Sequence, residues 1–160
     1  MGSPVDDERG TVDAKGLRVA VLVARFNADI TDRLLAGSLE ALREHGASEA
    51  DIEVIRVPGA WELPQTAARA VEASRFDAVV TLGCVIRGET PHFDFVCQEA
   101  SLGLGAVARA SAVPVVFGVL TTDDLMQAQA RAGNGKNNKG YEAVMAALAM
   151  VPVYRELIPR

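Results

Sequence analysis

Residues 17–24, LRVAVLVA, hold one charged side chain and show no alternation of apolar and polar positions. A strand without a polar face must be covered on both sides, the condition of a strand buried in a parallel sheet between helices. The chain then repeats this theme. Residues 29–45 carry Leu35, Leu39 and Leu42 at helical spacing and stop at Gly46, so they are expected to form a helix closed by a glycine cap. A strand over 52–57 passes through Pro58 and Gly59 into a helix bearing Leu63, Ala67, Ala70 and Val71. A strand over 78–83 leads through a polar loop into a helix bearing Val96, Cys97, Ala100, Leu104 and Val107. A strand over 115–120 reaches Thr121, Thr122 and Asp123, expected to cap a helix that stops near Gly133. A last helix presents Tyr141, Val144, Met145 and Leu148 on one face.

Four strand-helix rounds with short connections predict an α/β fold, a single-domain three-layer sandwich with a four-stranded parallel sheet and helices on both faces. In such a sheet every strand-to-helix loop opens on one edge, where ligands bind. The loops expected at that edge are therefore Arg25-Phe26-Asn27, the segment 58–62, the segment 87–92 and the segment 117–122. Residues 1–16 have no hydrophobic period and are expected to be a flexible arm, with the domain running from 17 to 160. The net charge of −5 and the lack of a basic stripe argue against nucleic acid. No apolar run has bilayer-spanning length, so no membrane partner is expected and the cytoplasm is the expected compartment. Cys84 and Cys97 are too far apart for C-x-x-C chemistry and read as buried thiols.

The most informative loop runs from Gly83 to Asp94, with Thr90 and Pro91 marking a helix start. Amides at a helix start favour an anion, and His92 beside them can trade protons near neutral pH. Arg87, Glu89 and Thr90 add polar groups there. His45, by contrast, precedes Gly46 at a helix end, where an imidazole simply suits the dipole. The dipole also accounts for Glu62 and Asp94 in first turns and for Arg131 in a last turn. Phe26 and Trp61 fit either loop packing or a slot for a flat ring. The first strand-to-helix turn has no glycine, which removes the dinucleotide fingerprint, and no Walker loop occurs.

Taken together, Arg25-Phe26-Asn27, VPGAWELP at 57–64, the run GCVIRGETPHFDFV at 83–96, PVVFGVLTT at 114–122, and Arg131-Ala132-Gly133 with Asn138-Lys139-Gly140 resemble the lumazine synthases. The resemblance covers roughly residues 17–150 in order. It implies a flavodoxin-like sheet, to which the arm could add a strand, and a transferase of riboflavin biosynthesis. The implied reaction condenses 5-amino-6-(D-ribitylamino)uracil with 3,4-dihydroxy-2-butanone 4-phosphate to 6,7-dimethyl-8-ribityllumazine, phosphate and water, with no cofactor and no metal. By the same resemblance Phe26 stacks on the pyrimidine, Ala60, Trp61 and Glu62 meet the ribityl chain, and Cys84, Val85 and Ile86 meet the uracil edge. Glu89 and Thr90 hold the butanone phosphate with Arg131, which displaces the dipole reading of that arginine. His92 moves protons, Phe117 lines the pocket from an adjacent subunit, and Lys139 belongs near the same site. The implied assembly is a homopentamer with Phe117 and the segment after Arg131 on opposite sides of one interface; whether twelve pentamers close a shell stays open. Two departures stand out: Trp61 replaces a common Phe, and the connector 133–137 (GNGKN) differs from the glycine-threonine-lysine type of shell-forming members. A binding or shell protein without turnover is the other reading, opposed by the presence of both His92 and Arg131.

Overall fold

The structure, a computed structural model, describes residues 12–158. Four strands, β1 (Val19–Ala24), β2 (Ile52–Val57), β3 (Ala78–Ile86) and β4 (Val115–Thr122), form one parallel sheet in the order β2-β1-β3-β4. The helices are α1 (Ala28–Glu44), α2 (Leu63–Glu72), α3 (His92–Ala110), α4 (Leu125–Arg131) and α5 (Lys139–Leu157). The predicted sandwich is observed. All six residues of β1 are buried, as expected of a strand with a neighbour on each side and a helical layer on each face. Val19, Val21 and Val23 pack with Leu34, Leu42, Val144 and Leu148 of α1 and α5. Ala20, Leu22 and Ala24 pack with Leu63, Ala67, Ala100 and Leu104 of α2 and α3. The strand period of two thus divides one continuous apolar run between two cores.

The α1–α5 layer is close because small residues let it be. An added Cβ at Gly140 would stand 2.0 Å from the Leu34 carbonyl oxygen, and one at Gly37 would stand 2.3 Å from Asn138 Oδ1. Ser38 Oγ donates to the Gly140 carbonyl at 2.8 Å across the same contact. Asn138 fills the gap at the start of α5. Its Oδ1 accepts the amides of Gly140 and Tyr141, and its Nδ2 donates to the carbonyls of Arg33 and Gly133 at 2.9 and 2.8 Å. At the far end of α1 the expected cap is present: Gly46 has φ 93°, and its amide and that of Ala47 return to the carbonyls of Arg43 and Leu42.

Three sequence expectations shift. β3 runs to Ile86 rather than ending at Gly83, because Val85 and Ile86 pair with Thr121 and Thr122. Thr121 and Thr122 are consequently strand residues, and the cap of α4 is Asp124, whose carboxylate accepts the Gln127 amide at 2.8 Å. The boundary drawn between residues 16 and 17 also moves. Ala14 is fully buried and its amide donates to the His45 carbonyl at 2.8 Å, so the packed domain already includes it. The remainder of the expected arm, residues 1–11, lies outside the described residues.

Candidate active site

β1 ends at Ala24 and the chain turns at once into α1. Arg25 and Phe26 remain tied to the neighbouring strand end, their amides donating to the carbonyls of Val57 and Pro58 at 2.8 and 3.0 Å. Asn27 makes the turn itself, at φ 60° and ψ 47°. Its carbonyl oxygen accepts the amides of Ile30 and Thr31, which starts the helix, while its side-chain amide donates to the Cys84 carbonyl at 2.8 Å. The turn leaves Phe26 71% exposed at the sheet edge. An aromatic ring of that size gains little from solvent, so its placement asks for a partner that comes and goes.

The second wall follows from Gly59. Its amide donates to Glu62 Oε2 at 3.0 Å, and a Cβ at Gly59 would stand 3.3 Å from that oxygen and 4.0 Å from Phe26 Cβ. Glu62 and Phe26 therefore flank one glycine. Ala60 is buried, with its Cβ 3.5 Å from where a Cβ of Gly83 would lie. Trp61 is half exposed on the same loop.

From β3, Cys84 is buried and Val85 and Ile86 emerge half-buried. Burial pushes the Cys84 thiol up to about 11, so it is a neutral wall residue at physiological pH and no nucleophile. Beyond them Arg87 is fully engaged in fastening the loop. Its amide donates to the Thr122 carbonyl at 2.9 Å and its Nε to Asp123 Oδ1 at 2.9 Å. Its Nη1 lies 3.6 Å from Asp94 Oδ1, and its guanidinium sits 4.3 Å above the centre of the Phe93 ring. The hydrogen bond to Asp123 is the main reason its proton is held more tightly than in a free arginine. Glu89, Thr90 and His92 then stand exposed on the fastened loop, where α3 begins. The helix starts one residue later than expected: Pro91 rather than Thr90 holds the N-cap position and makes no side-chain cap bond, while Thr90 Oγ1 accepts a long bond of 3.4 Å from the His92 amide.

Arg131 and Phe117 belong to a different place. A cleft of about 380 Å³ runs between β4 and α5, lined by Phe117, Val119, Thr121, Arg131, Lys139 and Glu142 among others. Phe26, Trp61, Glu89, Thr90 and His92 are not part of that lining. Gly118 makes the strand thin enough for α5 to approach: a Cβ there would stand 2.5 Å from the Thr81 carbonyl and 3.2 Å from Ala143 Cβ. Arg131 Nη1 donates to the Gln127 carbonyl of its own helix at 2.9 Å, the dipole role its position suggested, while the side chain also forms the cleft wall. Lys139 Nζ pairs with Glu142 Oε2 at 2.7 Å. The antiparallel bridge between Ala132 and Asn138 folds the connector back, so Phe117, Arg131 and Lys139 face one cleft together.

His45 meets its expected role, its Nδ1 lying 2.7 Å from the Ala41 carbonyl at the end of α1. Reasoning from residues did not single out Asn27 or the Arg87–Asp123 tie. A left-handed asparagine is invisible to periodicity, and a contact across 36 residues is invisible to spacing. The Lys139–Glu142 pair was legible, being three apart on a helix. Among the described residues no helix is long and apolar enough to cross a membrane, and no group of His, Cys, Asp and Glu could hold a metal ion.

A family model described as 6,7-dimethyl-8-ribityllumazine synthase matches residues 16–155. The 6,7-dimethyl-8-ribityllumazine synthase of Desulfatibacillum aliphaticivorans is 50% identical over 142 residues, which are 89% of this chain and 92% of that relative.

Proposed function

Because the chain belongs to the 6,7-dimethyl-8-ribityllumazine synthase family, we propose that its exposed loop edge and its β4–α5 cleft are two halves of one active site, completed between copies. The chain is a transferase of riboflavin biosynthesis that condenses 5-amino-6-(D-ribitylamino)uracil with 3,4-dihydroxy-2-butanone 4-phosphate to 6,7-dimethyl-8-ribityllumazine. The first half supplies Phe26 for the pyrimidine ring, Ala60, Trp61 and Glu62 for the ribityl chain, and Cys84, Val85 and Ile86 for the uracil edge. Glu89 and Thr90 stand beside the phosphate. The second half brings Phe117 and Arg131 from an adjacent subunit, with Lys139 close by. The observation that carries this reading is the separation itself: the arginine required for a phosphate lines a cleft that contains none of the ring-binding side chains.

The chemistry asks mainly for order. The uracil 5-amine attacks the butanone carbonyl, a first water leaves as the imine forms, phosphate is eliminated to leave an enol that becomes a ketone, and the ribitylamino nitrogen closes the ring on that ketone with loss of a second water. Holding two substrates face to face removes most of the entropic barrier. His92 moves the protons that the amine loses and the departing groups require. Arg131 and the amides at the start of α3 stabilise the phosphate as it leaves.

Self-association is supported by exposed apolar side chains on a single copy, with Phe95 at 64%, Leu102 at 66% and Met126 at 77% exposure. A homopentamer is the closed ring that the family reading favours, and the connector 133–137 governs whether pentamers close further into a shell. Polar, phosphorylated substrates favour the cytoplasm as the compartment. The test is complementation. His92→Ala and Arg131→Ala chains are co-expressed with different tags and purified as mixed oligomers. Composite sites give activity above the mean of the two parents, approaching roughly a quarter of wild type when copies mix at random. Mixed oligomers no more active than that mean place the site within one chain.

A further inference from the structure

β1 pairs with β3 only as far as Val23 opposite Leu82, yet β3 continues to Ile86 on its partner β4. Past that point the β1 side of β3 has lost its ladder partner, and a strand carbonyl left unpaired at a sheet edge is free to move or to bind water. The Cys84 carbonyl is the group concerned. It receives the Asn27 side-chain amide at 2.8 Å, so one side chain takes the place of the missing strand. The donor reaches it from a backbone at φ 60°, a left-handed conformation that asparagine enters more readily than most residues with a Cβ.

The two ends of this bond are the two walls of the ring slot. Asn27 follows Phe26 directly, and Cys84 begins the segment that ends in Val85 and Ile86. We propose that Asn27 is a positioning residue, a latch that sets the gap between Phe26 and the Cys84–Ile86 edge and so determines how well the chain holds the flat pyrimidine. Its carbonyl starts α1 whatever the side chain, since Ile30 and Thr31 bond the main-chain oxygen. The latch is therefore separable from the fold. This inference rests on the proposed placement of the uracil between Phe26 and β3.

Three variants distinguish the outcomes. Asn27→Gly keeps the left-handed turn without strain and removes the donor, and Asn27→Asp keeps shape and turn while presenting no donor. Both are expected to retain thermal stability close to wild type and to raise KM for the ribitylaminouracil by about three- to tenfold, the worth of one positioned hydrogen bond. KM for the butanone phosphate should stay within about twofold, because Glu89, Thr90 and Arg131 are elsewhere. Phe26→Ala serves as the control for the slot and should raise the same KM. If Phe26→Ala raises it and both Asn27 variants leave it unchanged, the latch is refuted and the slot stands. If Phe26→Ala has no effect, the slot and the latch fail together. Equal rises in both KM values, or a fall in melting temperature with unchanged KM, would reduce Asn27 to a structural turn residue.

Discussion

Removing the side chain of Asn138 tests whether the α4–α5 connector is held by that residue alone. Asn138 is 2% exposed and uses both donors and both acceptor positions of its amide group. In Asn138→Ala the amides of Gly140 and Tyr141, both in buried residues, lose their acceptor, which is the loss of a helix cap worth about 1 to 2 kcal/mol. The carbonyls of Arg33 and Gly133 lose a donor. Arg33 is a helix residue whose carbonyl keeps its place in the α1 ladder, so that loss is small, whereas the Gly133 carbonyl adds about 1 kcal/mol. The vacated space beside Gly37 adds a comparable cavity cost. We expect a destabilisation of about 3 kcal/mol, which in a chain of this length lowers the melting temperature by about 6 to 12 °C. Thermal unfolding at one fixed protein concentration measures it, since assembly makes melting concentration-dependent. Asn138→Ser retains a cap acceptor and should recover about half of the loss. A loss below about 1 kcal/mol in Asn138→Ala, or equal losses in the alanine and serine variants, would refute the assignment of these hydrogen bonds as the anchor.

Arg131→Ala should nearly abolish turnover, with the KM for the butanone phosphate rising at least about tenfold through loss of a charged hydrogen bond; unchanged saturation would return Arg131 to its helix-end role. His92→Ala should slow kcat by about tenfold to a hundredfold without abolishing the reaction, because substrate positioning survives the loss of a proton carrier. An effect no larger than that of His45→Ala would remove His92 from the chemistry. The Tyr141 hydroxyl donates to Glu44 at 2.6 Å, and that bond together with burial pushes it up to about 12 from 10.0. The stability it contributes is complete below pH 10.0 and is lost as pH rises towards about 12. The difference in melting temperature between wild type and Tyr141→Phe should therefore shrink between pH 10.0 and about 12, and a constant difference would contradict it.

Residue order alone determined the architecture. The unbroken apolar run at β1 demanded cover on both faces, and each following helix carried its own stripe, so the sandwich and its ligand-binding edge were legible in the sequence. His92, Glu89 and Thr90 were legible for the same reason, since a strand followed by Thr-Pro puts its loop at that edge. Element ends were less so. Cys84, Val85 and Ile86 became strand only because β4 offered Leu120, Thr121 and Thr122 to pair with, and hydrogen-bonded partners distant in sequence leave no local signature. The turn at Asn27 is of the same kind, since its left-handed backbone is held by a carbonyl 57 residues away. Most of all, tertiary packing separated the candidate groups. Sequence placed Arg131 at the end of a helix, where the dipole suffices to explain it. The approach of α5 to Gly118 and the fold-back at Asn138 turned that arginine, with Phe117 and Lys139, into the wall of a cleft apart from His92. That division follows from shape, because close approach of two elements depends on the side chains absent between them, and no period or motif records it.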